Sequence, residues 1–149
     1  MNTYIYAAYG SNLNHAQMAK RCPNAEFIGI GKIKNHRLVF RRVADIEYDR
    51  ASSVPVGLWR ITEACLKSLD AYEGYPSLYE RETFTVHKRN GSTVDAIAYY
   101  MNSVDYGSPS ITYFGAINQG YQDCGIATEA LDKALLLTQE ICEQLDTYY

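Results

Sequence analysis

The chain reads as an α+β fold, a curved or closed, mostly antiparallel sheet with helices packed against it. Three observations predict this. Strand-like runs crowd residues 25–101, an Asn90-Gly91 pair separates two of them, and residues 128–146 carry an apolar stripe at helical spacing.

The elements follow in chain order. Residues 3–8 (TYIYAA) are short, apolar and aromatic and predict a buried strand. Asn14, with Gln17 three positions on, predicts the N-cap of a short helix that runs to about Lys20 and stops before Pro23. Residues 25–42 (AEFIGIGKIKNHRLVFRR) predict two strands joined near Asn35, and residues 54–61 (VPVGLWRI) a third. Thr62 then caps a helix over Glu63–Glu73, which Gly74 and Pro76 end. Residues 79–88 (YERETFTVHK) alternate, Asn90-Gly91 turns the chain, and residues 94–101 return as the partner strand. Ser110 caps a helix up to Gly120. A long amphipathic helix from about Thr128 to Asp146 places Leu131, Ala134, Leu135, Thr138, Ile141, Cys142 and Leu145 on one stripe.

At 149 residues, with 47% hydrophobic and 21% charged side chains, the chain predicts one domain over residues 1–149 with a core of its own. It shows no repeat, low-complexity tract or linker. A net charge of −3 leaves no footprint for nucleic acid or an anionic membrane. No apolar stretch approaches a membrane span and no leader pattern opens the chain, so the expected location is cytoplasmic. Four scattered cysteines (Cys22, Cys65, Cys124, Cys142) form no CxxC pair and predict reduced, mostly buried thiols rather than a metal site. The three histidines are equally dispersed, and nothing local assembles a nucleophile–histidine pair. Lys32, Lys34, Arg37, Arg41 and Arg42 read as the solvated face of two strands, with attraction for an anionic substrate as the second reading.

The sharpest chemical signal lies on the helix before Gly74. Leu66, Leu69 and Glu73 share one helix face at i, i+3 and i+7, and the two leucines mark that face as the buried one. Glu73 therefore points inward, in the last helical turn. Desolvation and the negative end of the helix dipole both raise a carboxyl there, toward the range a general acid/base needs. The plainer alternative has Glu73 fraying outward beside Gly74.

A second signal is YGSNL at residues 9–13, between a strand and a helix. One reading is a turn, in which Gly10 supplies backbone freedom and Ser11 and Asn12 satisfy free N–H groups. The other is a cradle in which the amides of Gly10, Ser11, Asn12 and Leu13 converge on an anion or a developing oxyanion. A P-loop and a dinucleotide fingerprint are excluded, because no second glycine and no Lys-Ser/Thr pair follow. Fourteen tyrosines, several of them between residues 72 and 113, add apolar area with hydroxyl tips.

Taken together, YAAYGSNLN at 6–14, VGLWRITEACLKSLDAYEG at 56–74, LYERETFTV at 78–86, AYYMN at 98–102 and PSITYFGAINQGYQDCGI at 109–126 resemble the γ-glutamylcyclotransferase family, with its γ-glutamylamine and AIG2-like branches. The segments stand in the family's order and cover nearly the whole chain. The resemblance implies a small, mostly antiparallel β-barrel with flanking helices. It implies that Glu73 is the catalytic carboxylate. It further implies that Tyr9, Gly10, Ser11, Asn12 and Leu13 line the pocket for a γ-glutamyl group, together with Tyr79, Tyr99 and Tyr113. Of the neighbours Tyr99 and Tyr100, strand alternation lets one face the interior, and Tyr99 is the choice.

The implied reaction is intramolecular. The α-amine of a γ-glutamyl amide attacks the γ-carbonyl, releasing 5-oxoproline and a free amine without metal or cofactor. Three alternatives remain: γ-glutamylamines as substrates, a γ-glutamyl-protected biosynthetic intermediate, and a non-enzymatic small-molecule-binding domain. The expected partner is thus a small γ-glutamyl compound. The DTYY end offers aromatics for a homodimer contact or for packing on the barrel.

Overall fold

A computed structural model describes residues 2–101 and 103–147. The elements are β1 (Thr3–Ala8), α1 (His15–Arg21), β2 (Glu26–Arg41), β3 (Val43–Thr62), α2 (Glu63–Glu73), β4 (Tyr79–His87), β5 (Thr93–Met101), α3 (Ile111–Cys124) and α4 (Glu129–Thr147), with a single 3-10 turn over Ser11–Leu13. The strands close a barrel in the order β1-β3-β2-β4-β5. Every pairing is antiparallel except β1 with β5, which meet in parallel at Tyr6 and Ile97 and seal the barrel. In β3, Val54, Val56 and Leu58 are fully buried, each contributing roughly 1.5–3 kcal/mol relative to exposure.

Local chemistry sets the helix ends as the residues predict. The side chain of Asn14 accepts from the amide of Gln17 at 3.1 Å, that of Thr62 from Cys65 at 3.2 Å and that of Ser110 from Tyr113 at 3.1 Å. Each thereby satisfies an otherwise unpaired first-turn amide. Gly74, at φ 65°, ends α2 in the left-handed conformation, and the Tyr75 amide turns back onto the Asp70 carbonyl at 2.9 Å. Glu73 is thus held as the last helical residue.

Five expectations are corrected. The two strands over 25–42 are one strand, β2, because Asn35 takes φ 61° and inserts as a bulge between Lys34 and His36 instead of turning the chain. β3 begins at Val43, eleven residues before the predicted start. Ala44, Ile46 and Tyr48 do alternate there, but the acidic residues between them disguise the strand. α3 runs through Gly120 to Cys124. A Cβ on Gly120 would come within 2.6 Å of the Asn14 amide nitrogen, so this glycine admits the Ser11–Leu13 turn rather than ending the helix. Cys22 and Cys65 are not free thiols but a disulfide, with Cα atoms 5.2 Å apart, joining the end of α1 to the first turn of α2. Cys124 and Cys142 are free. Finally, Arg41 leaves the solvated face on which Lys32 and Lys34 remain exposed. It is buried, donating to Asp45 at 2.7 Å and to Glu47 at 2.9 Å.

Among the described residues no helix is long and apolar enough to cross a membrane. The terminal tyrosines of DTYY and Asn102 of AYYMN lie outside the described residues.

Candidate active site

The loop after β1, the start of β3, the end of α2, the start of β4, the far part of β5 and the first turn of α3 meet around a cavity of about 230 Å³. The last residue of α2 supplies its one carboxyl. Glu73 is half-buried, on the same helix face as the buried Leu66 and Leu69. Among the described residues no donor lies within hydrogen-bond distance of it. Burial pushes its carboxyl up to about 7, and the positive charge of Arg21 acts against that rise. One pKa unit corresponds to 1.36 kcal/mol, so the burial makes ionisation harder by about 3 kcal/mol.

Arg21, at the end of α1, reaches the cavity wall from behind. It donates to the Asn12 side-chain carbonyl, to Gln17 at 3.2 Å and to the Tyr72 hydroxyl at 2.6 Å. Its guanidinium also stacks 3.7 Å from the Tyr72 ring centroid. Asn12 passes the contact inward by donating to the Tyr6 hydroxyl at 3.0 Å. One cation at the end of α1 thus braces the loop and α2 together, and the adjacent disulfide fastens α1 to α2 covalently.

The tyrosine hydroxyls divide by where their protons go. Tyr9 donates to the Tyr99 carbonyl at 2.7 Å, Tyr79 to the Ala44 carbonyl at 2.9 Å, and Tyr99 to the Asp70 carboxylate at 2.7 Å. Those three protons are committed. Tyr113 instead accepts from the Ala44 amide at 2.9 Å, and Tyr6 accepts from Asn12. Tyr6 and Tyr113 therefore keep a proton for a bound molecule. Burial raises both hydroxyls far above the ordinary tyrosine range, so both remain donors.

Within the loop, the Leu13 amide donates to the Gly10 carbonyl and the Asn14 amide to the Ser11 carbonyl, each at 3.0 Å. The amides of Gly10, Ser11 and Asn12 have no partner among the described residues. The predicted four-amide cradle is thus at most three amides. Leu13 is fully buried in the core and does not reach the cavity. Gly10 sits close to the opposite wall: a Cβ there would crowd the Ala44 side chain at 3.2 Å and stand in contact with the Tyr113 hydroxyl at 3.5 Å.

Of the nine residues singled out from the sequence, Glu73, Tyr9, Gly10, Ser11, Asn12, Tyr79, Tyr99 and Tyr113 line the cavity. Tyr100 points away, donating to Glu82 at 3.2 Å. Sequence reasoning missed Tyr6, Tyr72 and Arg21. Tyr6 was within reach, because strand alternation puts it on the same face as Ala8, at the mouth of the loop. Nothing in the sequence links Arg21 to Tyr72. The fold does bring a cysteine and a histidine together, Cys124 Sγ lying 3.5 Å from His15 Nε2. Burial pushes that thiol up to about 12, which makes it a poor nucleophile. Among the described residues no group of three or more His, Cys, Asp or Glu side chains is placed to hold a metal ion. The arrangement can move a proton at Glu73 and can hold an anion with the Tyr6 and Tyr113 hydroxyls and the loop amides.

Residues 6–115 match the family described as gamma-glutamyl cyclotransferase, AIG2-like. The chain is similar to a gamma-glutamylcyclotransferase of Mus musculus, 27% identical over 144 residues that cover 88% of this chain and 77% of the relative. It is also similar to one of Homo sapiens, 26% identical over 88% of this chain and 77% of that relative. A solved structure named gamma-glutamyl cyclotransferase superposes with a TM-score of 0.80 at 24% identity, covering 89% of this chain and 86% of that one. At that identity the superposition speaks for the fold alone.

Proposed function

Because the chain belongs to the gamma-glutamyl cyclotransferase, AIG2-like family, we propose that its cavity takes γ-glutamyl amides and closes them to 5-oxoproline, releasing a free amine or amino acid. The observation that carries the reading is Glu73, the lone carboxyl of the cavity, held near pKa 7 and sharing that cavity with the Tyr6 and Tyr113 hydroxyls and the loop at Gly10–Asn12. The cavity, about 230 Å³, is smaller than drug-sized sites of roughly 300–1,000 Å³. That suits a γ-glutamyl group inside, with its amine at the mouth.

The chemistry follows from the groups present. Holding the substrate folded brings its α-nitrogen onto its own γ-carbonyl and removes the entropic cost of meeting. Ionised Glu73 accepts a proton from the α-ammonium, and the freed amine attacks. As the C–N bond forms, the carbonyl oxygen becomes an oxyanion, and Tyr6, Tyr113 or the free loop amides donate to it. The same carboxyl, now protonated, gives that proton to the leaving nitrogen as the amide bond breaks, and the ring nitrogen's remaining extra proton passes over the same carboxylate to the released amine, which departs as an ammonium. Glu73 ends as it began, and a pKa near 7 lets it serve as both base and acid at neutral pH. Tyr79, whose proton is committed to Ala44, can only accept from the substrate.

The test is 5-oxoproline release from γ-glutamyl-alanine by the wild type and by Glu73→Gln, compared at temperatures equally far below their melting points. Release by the wild type and a loss of about 10²–10⁴ in the variant are expected. A variant that keeps its activity removes Glu73 from the mechanism. Binding without release by the wild type removes the reaction.

A further inference from the structure

A second concavity lies at the opposite end of β4. Tyr79 opens that strand in the Glu73 cavity and His87 closes it in a groove of about 900 Å³. Eight residues of extended chain separate the two, about 26 Å. The groove is walled by β2, by residues 49–55 of β3, by the β4–β5 turn and by residues 126–137, and it shares no lining residue with the cavity. Residues 126–137 also lie beyond the stretch that matches the family.

Its charge runs against that of the chain. The net charge of the protein is −3, yet six of its fourteen lysine and arginine side chains line this groove, against two of its seventeen carboxylates. Lys32 and Lys34 come from β2, Lys88 and Arg89 from the β4–β5 turn and Lys133 from α4. Among the described residues none of these five has a carboxylate within ion-pair distance. The sixth, Arg37, is paired with Glu47 at 2.7 Å. Of the two carboxylates in the groove, Asp49 is already engaged. Asp49 accepts from the Ser52 hydroxyl at 2.5 Å and the Ala51 amide at 3.4 Å. Glu129 stands in the first turn of α4, where it answers the positive end of the helix dipole. The floor between the cations is apolar, formed by Ile30, Leu38, Ile126, Ala130 and Leu137.

One sign of charge gathered in a cleft focuses its field and concentrates counter-ions. Three separate elements contribute the unpaired cations, so a ligand that satisfies them must carry several negative charges. The apolar floor asks for a flat, weakly polar body attached to them. We infer that this groove is a second ligand site for a nucleoside polyphosphate, with the phosphates on the lysine and arginine rim and the base on the floor. A divided charge of that kind fits better than an acidic peptide, whose carboxylates are spread along an extended backbone. The volume is also at the upper end of small-molecule sites.

The probe is ATP without divalent cation, titrated into the protein with calorimetry and amide chemical shifts as readouts, beside inorganic tripolyphosphate. Binding with a Kd below about 1 mM is expected, with shifts confined to residues 30–38, 49–55, 87–91 and 126–137. Lys32→Glu/Lys133→Glu, two exposed positions, is expected to weaken it roughly tenfold or more, and added salt to weaken it further. Glu73→Gln is expected to bind ATP like the wild type, which separates this site from the proposed reaction. No binding at millimolar ATP, or shifts scattered over lysines outside the groove, overturns the inference. Tripolyphosphate binding as tightly as ATP overturns the role of the floor. An acidic peptide displacing ATP at lower concentration overturns the choice of ligand.

Discussion

The Glu73 cavity holds one carboxyl among buried hydroxyls, whereas the groove at the far end of β4 gathers six cations, five of them without a carboxylate partner among the described residues. In the cavity, enclosure makes a single charge expensive, so Glu73 titrates near neutrality and each proton has a defined place. In the groove the charges stay hydrated, and their effect comes from number rather than placement. A small site built from buried side chains therefore suits the chemistry of one proton, and a large one rimmed by many cations suits capture of a multiply charged molecule.

The strongest test of that contrast removes one polar group from each side. Tyr113→Phe takes away a donor whose proton is uncommitted, and kcat is expected to fall by about 10². Lys34→Ala takes away one of many screened charges, and ATP affinity is expected to change by only about threefold. A small effect at Tyr113 or a large one at Lys34 would dissolve the distinction.

Next in size is the pH dependence of stability. The folded carboxyl of Glu73 lies at about 7, above its ordinary 4.5. Between those values the native state holds a proton that the unfolded state has released. Stability from this group is therefore fully present below about 4.5 and is lost as pH rises through about 7. Glu73→Gln is expected to melt several degrees above the wild type at pH 8, a gain on the order of 2 kcal/mol, and level with it at pH 4. Thermal melts at the two pH values decide it. Equal differences at both would mean that Glu73 is solvated.

The smallest expected effect sharpens the electrostatics of the cavity. Arg21 favours the ionised form of Glu73, so Arg21→Gln should raise the carboxyl further. The acid limb of the kcat/KM profile is expected to move up by about half a pH unit to one unit. A limb that stays in place while activity falls would assign Arg21 only the bracing of Asn12 and Tyr72.

Much of the fold was legible because its signals are local. Asn14, Thr62 and Ser110 cap the helices that follow them, Gly74 stops α2, and Asn90-Gly91 turns β4 into β5, each through groups within a few residues. What escaped was set by neighbours distant in sequence. The first half of β3 is held by pairing with β2 despite its acidic residues. Cys22 and Cys65 are 43 positions apart and meet only when α1 and α2 pack. Arg41 looks like a surface cation until Asp45 and Glu47 fold over it.

The site divides the same way. The spacing of Leu66, Leu69 and Glu73 places the carboxyl on the apolar face of its helix while leaving open whether it turns inward or frays outward, and the chain shows a glycine-bearing loop before α1. Periodicity and backbone freedom are properties of a short stretch of chain. Which tyrosine protons are free, that Leu13 turns into the core, and that Arg21 stands near enough to temper Glu73 follow from the closed barrel and its packed helices. Those outcomes depend on which acceptor each donor meets across the barrel, and desolvation acts on a carboxyl only once distant strands have closed around it.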